Sequence, residues 1–327
     1  MIQEIRIKNY LSFRDEVVLS FEATKDTTFE ECQVVNVTPK VRLLRFALIY
    51  GANASGKSNL LNAMDFLRGF WFDKKSDIDE ETGVLPFLLD TETPNEPSEF
   101  NIKFFVDDKR YWYTLVLNDK QVIKEDLYVY NSVQPSLVFS RELDGTASLI
   151  KLNASLVKAN ATIVEQLNVK CLSNMSFFAA RNQVNCSLAY IDEVRDWMKN
   201  NMMPIIEPGT RMFEYAGKQM EKNAELKAYI LDFVHKADYN ITDVYTEREK
   251  MPIPDFVKTS IMEDKDIPEK TKEKMLADNA LERLRTDFQH TVKNRRGEEN
   301  YRLPNSLQSE GTKRTFGIEA AIYEAIK

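Results

Sequence analysis

The chain has 327 residues, of which 43% are hydrophobic and 29% are charged, and this composition excludes a wholly disordered or fibrous protein. The length predicts about two domains. The 44 basic and 51 acidic residues give a formal net charge of −7. This charge argues against nucleic-acid binding over the whole surface, because such binding requires neutralisation of phosphates.

No apolar run approaches the roughly 20 residues of a membrane-spanning helix, and residues 1–10 lack a signal-peptide core. We therefore expect a cytoplasmic protein without membrane contact. Cys32, Cys171 and Cys186 have no metal-ligand spacing, and His235 and His290 are the only histidines. Neither a zinc site nor a disulfide framework is expected, and the thiols are predicted to be buried and reduced.

The first predicted elements are two strands, followed by a third strand that leads into a glycine-rich loop. Ile5 and Ile7 alternate with polar residues, and an apolar run follows at 17–21, which predicts a strand pair. Residues 41–50 end in an uncharged, mostly apolar stretch and predict a strand buried on both faces. From residue 57 the spacing becomes helical, with one buried stripe formed by Leu60, Leu61, Met64 and Leu67.

The central part of the chain changes from strand to helix periodicity. Residues 100–130 contain three runs of period two separated by polar turns, which predicts an antiparallel meander. From 188 to about 288, helical spacing dominates and prolines interrupt it, so we expect a region of short helices. No sustained heptad pattern is present, which excludes a long coiled coil within the chain.

Residues 51–58, Gly-Ala-Asn-Ala-Ser-Gly-Lys-Ser, match the phosphate-binding pattern G-x-x-x-x-G-K-[ST] between the predicted strand and helix. Glycines let backbone N–H groups approach phosphate oxygens, and the helix N-terminus adds partial positive charge. Lys57 is expected to contact the terminal phosphates and Ser58 to bind Mg²⁺, with ATP as the nucleotide. The alternative is that this glycine-containing loop only leads into the helix and binds no ligand. The predicted binding residues are Gly51, Asn53, Ser55, Gly56, Lys57, Ser58 and Asn59.

A second glycine-containing stretch lies near the end of the chain. Ser309 and Gly311 precede an amphipathic stretch, and Ser309 suits the N-cap of the helix that follows. The free N–H groups of such a helix could also face an anion. By itself, this pattern favours an ordinary capped helix over an anion site.

Three stretches together resemble one family. Residues 5–15, 50–59 and 303–314 are similar to the ABC-class ATPases of bacterial abortive-infection and anti-phage defence systems, distant relatives of RecF and of chromosome-maintenance ATPase heads. The resemblance implies an α/β fold, an ABC-type P-loop ATPase head with an antiparallel β-subdomain and a helical insertion. The implied division is a P-loop lobe with the β-subdomain at 1–175, the insertion at 176–290, and a return to the head at 291–327.

The resemblance also implies partners. Ser309 and Gly311 would belong to the signature motif, which contacts the γ-phosphate of ATP held by the opposite subunit of a head-to-tail dimer. A homodimer or higher oligomer is therefore expected, together with an effector, a nuclease in this family, that contacts residues 188–288. Gln183 is the candidate for the Mg²⁺-sensing glutamine, and Gln166 competes with it. Phe13 and Arg14 could lie near the adenine, or could have an ordinary role at a strand end.

Catalytic carboxylates are not identified by the sequence. Asp192 and Glu193 follow uncharged residues, as in a Walker B strand, but the apolar spacing from 188 to 202 is helical and they precede the signature. After the signature the chain reaches Lys327 in helical register without an Asp-Glu strand, and this predicts truncation before Walker B. We therefore expect ATP binding with little or no hydrolysis. The alternatives are a nucleotide-gated scaffold without turnover, or a monomeric P-loop NTPase or kinase that uses Asp192 and Glu193.

A local basic strip at 283–302 contains Arg285, Lys293, Arg295 and Arg296. It is either a nucleic-acid contact or an ordinary solvated face. His290 lies within it and is interpreted as a structural or surface histidine.

Overall fold

A computed structural model describes residues 1–207, 209–210, 212–237, 240–264, 269–277 and 280–326. The chain divides into two compact units, Met1–Ile205 and Ile206–Lys327. The first contains a large antiparallel sheet, and the second contains a smaller sheet with several helices.

The first unit is built on a seven-stranded sheet. In chain order its elements are β1 (Ile2–Lys8), β2 (Val17–Ser20), α1 (Glu30–Gln33), β3 (Val34–Thr38), β4 (Val41–Leu44), α2 (Lys57–Phe70), β5 (Ser98–Val106), β6 (Lys109–Leu117), β7 (Val122–Tyr130), β8 (Ser136–Asp144), β9 (Ala147–Leu152), α3 (Ala161–Lys170), α4 (Phe177–Arg181) and α5 (Ile191–Asn201). The sheet order is β2-β1-β5-β6-β7-β8-β9, with all neighbours antiparallel. β3 and β4 form a separate hairpin. The predicted strand pair and meander are confirmed.

The core of this unit lies on the apolar face of the sheet. Alternate residues of β5 and β6 are buried, and α2 buries Leu60, Ala63, Leu67 and Phe70. The predicted stripe of α2 is wrong at Leu61, which is 44% exposed. Ala63 and Phe70 are buried instead, because at 3.6 residues per turn the buried face follows residues 60, 63, 67 and 70 and is rotated away from Leu61.

Hydrogen bonds to a buried carboxylate connect the start of α4 to the sheet. The Glu125 carboxylate accepts hydrogen bonds from Tyr113 Oη (2.9 Å), Ser176 Oγ (2.8 Å) and the Phe177 amide (2.8 Å). Arg141 Nη1 lies 3.7 Å from the same carboxylate, and both side chains are fully buried. A buried charge requires partners of this kind, so the network fixes the start of α4 against β7 and β8.

The second unit combines three strands with helices. Its elements are α6 (Phe213–Lys222), α7 (Ala224–Lys236), β10 (Asp243–Pro252), α8 (Asp255–Glu263), α9 (Glu269–Ala277), β11 (Ala280–Asn294), β12 (Gly297–Pro304) and α10 (Glu310–Ile326). The antiparallel sheet has the order β10-β11-β12. Residues of α6, α7 and α10 form an apolar cluster with Val244 and Phe288. A Cβ at Gly317 of α10 would clash with Met212, so the close approach of these segments requires glycine there.

The region predicted to be helical, 176–290, also contains β10 and most of β11. β10 is largely charged and exposed, so it carries no apolar alternation. Cross-strand ion pairs such as Arg285 with Glu249 (3.0 Å) contribute to the pairing instead. α4 and α5 belong to the core of the first unit. α10 continues to Ile326, and Lys327 lies outside the described residues.

The cysteines differ in their environments. Cys171 is buried, and burial raises the pKa of its thiol. The prediction is wrong for Cys32, which lies in the short helix α1 and is exposed. Among the described residues, no helix is both long and apolar enough to cross a membrane.

Candidate nucleotide-binding site

The glycine-rich loop leads directly into α2. Gly56 has a φ of 87° and is the N-cap of this helix. A Cβ at this position would lie 2.7 Å from Ser12 Oγ and 3.0 Å from Phe13 Cε1, so both the backbone conformation and the close approach require glycine. No side chain caps the first turn of α2, and no acidic residue occurs in it. The first amides of α2 therefore remain available to an anion.

The predicted phosphate and metal ligands lie on consecutive residues. Lys57 Nζ donates to the carbonyl oxygens of Gly51 (3.0 Å) and Ala52 (2.6 Å). Among the described residues it has no carboxylate partner, so its charge is available to a ligand. Ser58 is exposed at the next position, as are Asn53 and Ser55 in the loop. An ammonium group, a hydroxyl group and uncapped amides fit a phosphate and a hydroxyl ligand for Mg²⁺.

The turn between β1 and β2 contacts this loop. Asn59 Nδ2 donates to Ser12 Oγ at 2.8 Å. Asn9 fixes the turn: its side chain is buried, donates to the Thr93 carbonyl (2.8 Å) and accepts from the Phe87 amide (3.0 Å). Sequence reasoning missed the role of Ser12, because the contact joins residues 47 positions apart.

The two residues that follow Ser12 behave differently. Phe13 lies against Gly56, at the start of α2. Arg14 is about half exposed and lies 3.6 Å from a carboxylate oxygen of Asp90. The structure therefore brings Phe13, and not Arg14, into contact with the loop.

The strand predicted before the loop is not buried. β4 ends at Leu44, and residues 46–50 are irregular and exposed. The prediction of a strand buried on both faces is therefore wrong for this stretch. The physical reason is that residues 46–50 pair with no other strand among the described residues, and an apolar run is buried only where a neighbouring strand or helix covers it.

Asp192 and Glu193 lie in the first turn of α5, not on a strand. The helix buries Ile191, Val194, Trp197 and Met198, as the periodicity predicts. Asp192 Oδ1 lies 2.8 Å from Arg181 Nη2, and Glu193 Oε2 lies 2.8 Å from Lys109 Nζ. Both carboxylates therefore have structural partners.

The two candidate glutamines border one cavity of about 350 Å³ between α3 and the segment after α4. Gln183 is partly buried, and its Nε2 donates to the Ala179 carbonyl at 3.5 Å. Gln166 lies on α3 and is exposed. The choice between them as a Mg²⁺-sensing residue stays a prediction.

In the second unit, Ser309 caps α10. Its hydroxyl accepts from the Thr312 amide at 3.0 Å, which is the ordinary role of an N-cap serine. Gly311 is exposed, and the nearest atom to a Cβ placed there would be Ser309 Oγ at 3.7 Å. No contact among the described residues therefore requires glycine at 311.

The basic strip is partly neutralised within the protein. Arg285 pairs with Glu249 (3.0 Å) and Asp287 (3.0 Å), and these carboxylates raise its pKa. His290 Nε2 lies 2.8 Å from Gln308 Nε2, which is consistent with a structural histidine. Lys293, Arg295 and Arg296 surround the tip of the β11–β12 hairpin without an ion-pair partner among the described residues.

No curated protein matches this chain. Residues 46–151, which include the glycine-rich loop and its helix, match a family described as "AAA domain, putative AbiEii toxin, Type IV TA system". This segment is therefore similar to the AAA domain of a P-loop ATPase family.

Proposed function

We propose that the chain binds ATP·Mg²⁺ at residues 51–59 as an ABC-type ATPase head. The observation that carries the proposal is the start of α2, where left-handed Gly56 leads into an uncapped helix that presents Lys57 and Ser58. The match of residues 46–151 to a P-loop ATPase family, whose members generally use ATP and Mg²⁺, supports it. Lys57 and the first amides of α2 would hold the phosphates, and Ser58 would bind the metal.

Calorimetric titration of ATP·Mg²⁺ into Lys57→Ala tests this site. We expect at least a tenfold loss of affinity, because a charge-assisted hydrogen bond contributes about 1.5–3 kcal/mol. Lys120→Ala, in the exposed β6–β7 turn, is the matched control and should bind like the parent. Equal affinity in a folded Lys57→Ala protein would contradict the assignment.

ATP-dependent pairing of two copies is the second part of the proposal. Glycine in a helix is about 1 kcal/mol less favourable than alanine. No contact among the described residues requires glycine at 311. The presence of glycine there therefore supports the proposal that another molecule approaches this surface closely. Ser309 and Gly311 would then contact the γ-phosphate of ATP on the second copy.

Light scattering with a non-hydrolysable ATP analogue tests the pairing. Ser309→Arg should retain ATP binding and lose association, because a bulky cation obstructs the second nucleotide. Ser309→Ala removes the hydroxyl without adding bulk, so it should weaken association less than Ser309→Arg does. If Ser309→Arg associates as the parent does, the segment is only a capped helix.

The biological setting follows from the matched family, whose description names a toxin–antitoxin system. We propose that the ATPase acts in a bacterial defence system and controls a partner protein, an effector nuclease by resemblance. Because α4 and α5 are part of the first unit's core, the effector surface is assigned to residues 206–288. Co-elution of the parent chain with the neighbouring gene product is expected, and failure to co-elute with or without ATP would contradict this partner.

A nucleotide-gated scaffold without turnover is the second candidate function. The ion pairs of Asp192 and Glu193 support the scaffold function. Both carboxylates lie on a helix and are held by cationic side chains, so neither is free to activate water. General-base help contributes about 10²–10⁴-fold in rate, so phosphate release by this chain should be very slow. Steady-state release that is lost in Glu193→Gln would overturn this candidate. The kinase alternative loses support, because residues 188–191 are not in a sheet.

A further inference from the structure

The first unit contains another polar cavity, which shares no lining residue with the P-loop. It has a volume of about 440 Å³ and lies among β1, the segment after β2, the β3–β4 hairpin and the start of β6. Its lining includes the polar side chains Gln3, Glu22, Lys25, Lys40, Arg42 and Arg110. Four of these are cations and one is a carboxylate, so the cavity carries a local positive charge on an acidic protein.

Most of this positive charge is not neutralised by the protein. Arg42 is bound to Glu30 (2.9 Å) and to the Thr24 carbonyl (2.7 Å). By contrast, Lys25, Lys40 and Arg110 have no ion-pair partner in the part of the chain that the structure describes. The Arg110 guanidinium lies 4.5 Å from the ring centroid of Tyr130, and this contact holds it in place.

The same cavity contains buried polar atoms without partners among the described residues. Gln3 is only 2% exposed and lies at the irregularity in the pairing of β1 with β5. Its Nε2 donates to Glu22, but its Oε1 is buried and accepts no hydrogen bond. Arg110 Nε is also buried and has no acceptor. Because an unpaired buried polar group destabilises a protein, an orphaned acceptor and an orphaned donor in one cavity indicate a ligand that pairs with both.

We propose that this cavity binds a small phosphorylated molecule. Its phosphate would contact Lys40 and Arg110, with Lys25 nearby, and a hydroxyl or N–H group of the same molecule would donate to Gln3 Oε1. The carboxylate of Glu22 is already held by the Gln3 amide, and the cationic side chains outnumber it. The volume lies within the range of about 300–1,000 Å³ that is typical of small-molecule sites.

Calorimetry with the Lys57→Ala protein tests the cavity, because this background weakens binding at the proposed P-loop site. The probes are adenosine monophosphate, inorganic phosphate and a ten-residue deoxythymidine oligonucleotide. We expect one site for adenosine monophosphate, with affinity at least tenfold lower in Arg110→Gln and in Lys40→Gln. Lys120→Gln, at the opposite end of β6 from Arg110, is the charge-matched control and should not change binding.

Gln3→Met separates the two halves of the proposed site. It should weaken binding of adenosine monophosphate and leave that of inorganic phosphate unchanged, since only the nucleotide has ribose hydroxyl or adenine N–H groups that could reach Gln3 Oε1 while its phosphate contacts Lys40 and Arg110. Thermal unfolding of each variant checks its fold. Absence of binding, or equal binding by Arg110→Gln, would overturn the proposal. If the oligonucleotide binds more tightly than adenosine monophosphate, and this binding depends on Arg110, the cavity binds nucleic acid and the proposal of a small-molecule ligand is overturned. None of these outcomes depends on ATP binding at the P-loop.

Discussion

The β5–β7 meander and the stretch before the P-loop are both rich in apolar residues, but only the meander is buried. Phe104 and Tyr111 are completely covered, whereas Leu48 is 76% exposed and Tyr50 is 93% exposed. β5 and β6 are joined by a two-residue turn, so each strand has its partner next to it in the sequence. Residues 46–50 have no strand partner among the described residues. Apolar composition alone therefore does not determine burial, because a strand also needs a partner.

Because the meander is buried and the P-loop region is exposed, the residues that stabilise the first unit differ from the residues that are proposed to bind the ligand. The meander and α2 stabilise the fold by burying side chains, at about 25 cal/mol per Å² of apolar surface. The loop at 51–58 is exposed and adds little burial, but it carries the groups that fit a nucleotide. We expect substitutions in the two regions to affect different measurements.

The largest predicted effect lies in the meander. Phe104 is stacked on Trp197, with ring centroids 4.4 Å apart, so Phe104→Ala should leave a cavity and lower the free energy of unfolding by about 3–5 kcal/mol. Urea unfolding followed by tryptophan fluorescence measures this. Trp71, Trp112 and Trp197 are the three tryptophans of the chain, and all lie in the first unit, so the signal reports that unit. A loss below about 1 kcal/mol would mean that the core tolerates the cavity.

Local patterns predict the parts of the fold whose partners are close in sequence. The meander has period two and short polar turns, and α2 has both a helical stripe and a glycine start, so both were predictable. β8 and β9 were missed, although they are consecutive in the sequence and pair with each other. Their exposed positions and the buried polar residue Arg141 interrupt the apolar alternation. β10 was missed because its exposed residues are largely charged.

The candidate site was predictable only in part. The spacing of Gly51, Gly56, Lys57 and Ser58 identifies the loop, because the phosphate-binding pattern requires these residue types in this order. The contact of Ser12 with Asn59 was not predictable, since it depends on how the β1–β2 turn packs. Sequence periodicity also assigned Asp192 and Glu193 to a helix, but it did not identify Arg181 and Lys109 as their partners.

Gly56→Ala tests the comparison between the buried meander and the exposed loop, because it alters the loop without removing a functional group. Alanine is disfavoured by the left-handed backbone, by about 1–2 kcal/mol, and its Cβ would crowd Ser12 and Phe13. Gly145→Ala is the matched control, because Gly145 also has a positive φ (64°), but a Cβ added there would meet no described atom within 4 Å. We expect both variants to lose stability and only Gly56→Ala to lose ATP affinity in calorimetry. Equal affinities would show that the close approach is unimportant.

A smaller effect is expected for Glu4, on the paired strand β1. The hydrogen bond from Arg6 lowers the pKa of Glu4, and Lys103 adds to this. A carboxyl whose folded pKa is depressed contributes stability above its unfolded pKa, and that contribution is lost as the pH falls through the folded pKa. Glu4→Gln should therefore be less stable than the parent at pH 7, by about 1 kcal/mol, and the gap should close in acid. Urea unfolding between neutral pH and the acid range measures it, and a gap that widens in acid would contradict the ion-pair account.

The smallest effect is predicted for Leu48→Ser. Leu48 is exposed, so the substitution removes little buried apolar surface and should change the free energy of unfolding by less than about 0.5 kcal/mol. Leu115→Ser is the matched substitution in β6, where the side chain is fully buried, and it should cost at least about 2 kcal/mol. Because an exposed apolar stretch favours association, Leu48→Ser should also reduce concentration-dependent self-association in light scattering. A stability loss as large as that of Leu115→Ser would show that residues 46–50 are covered in solution, and the contrast between the two stretches would then disappear.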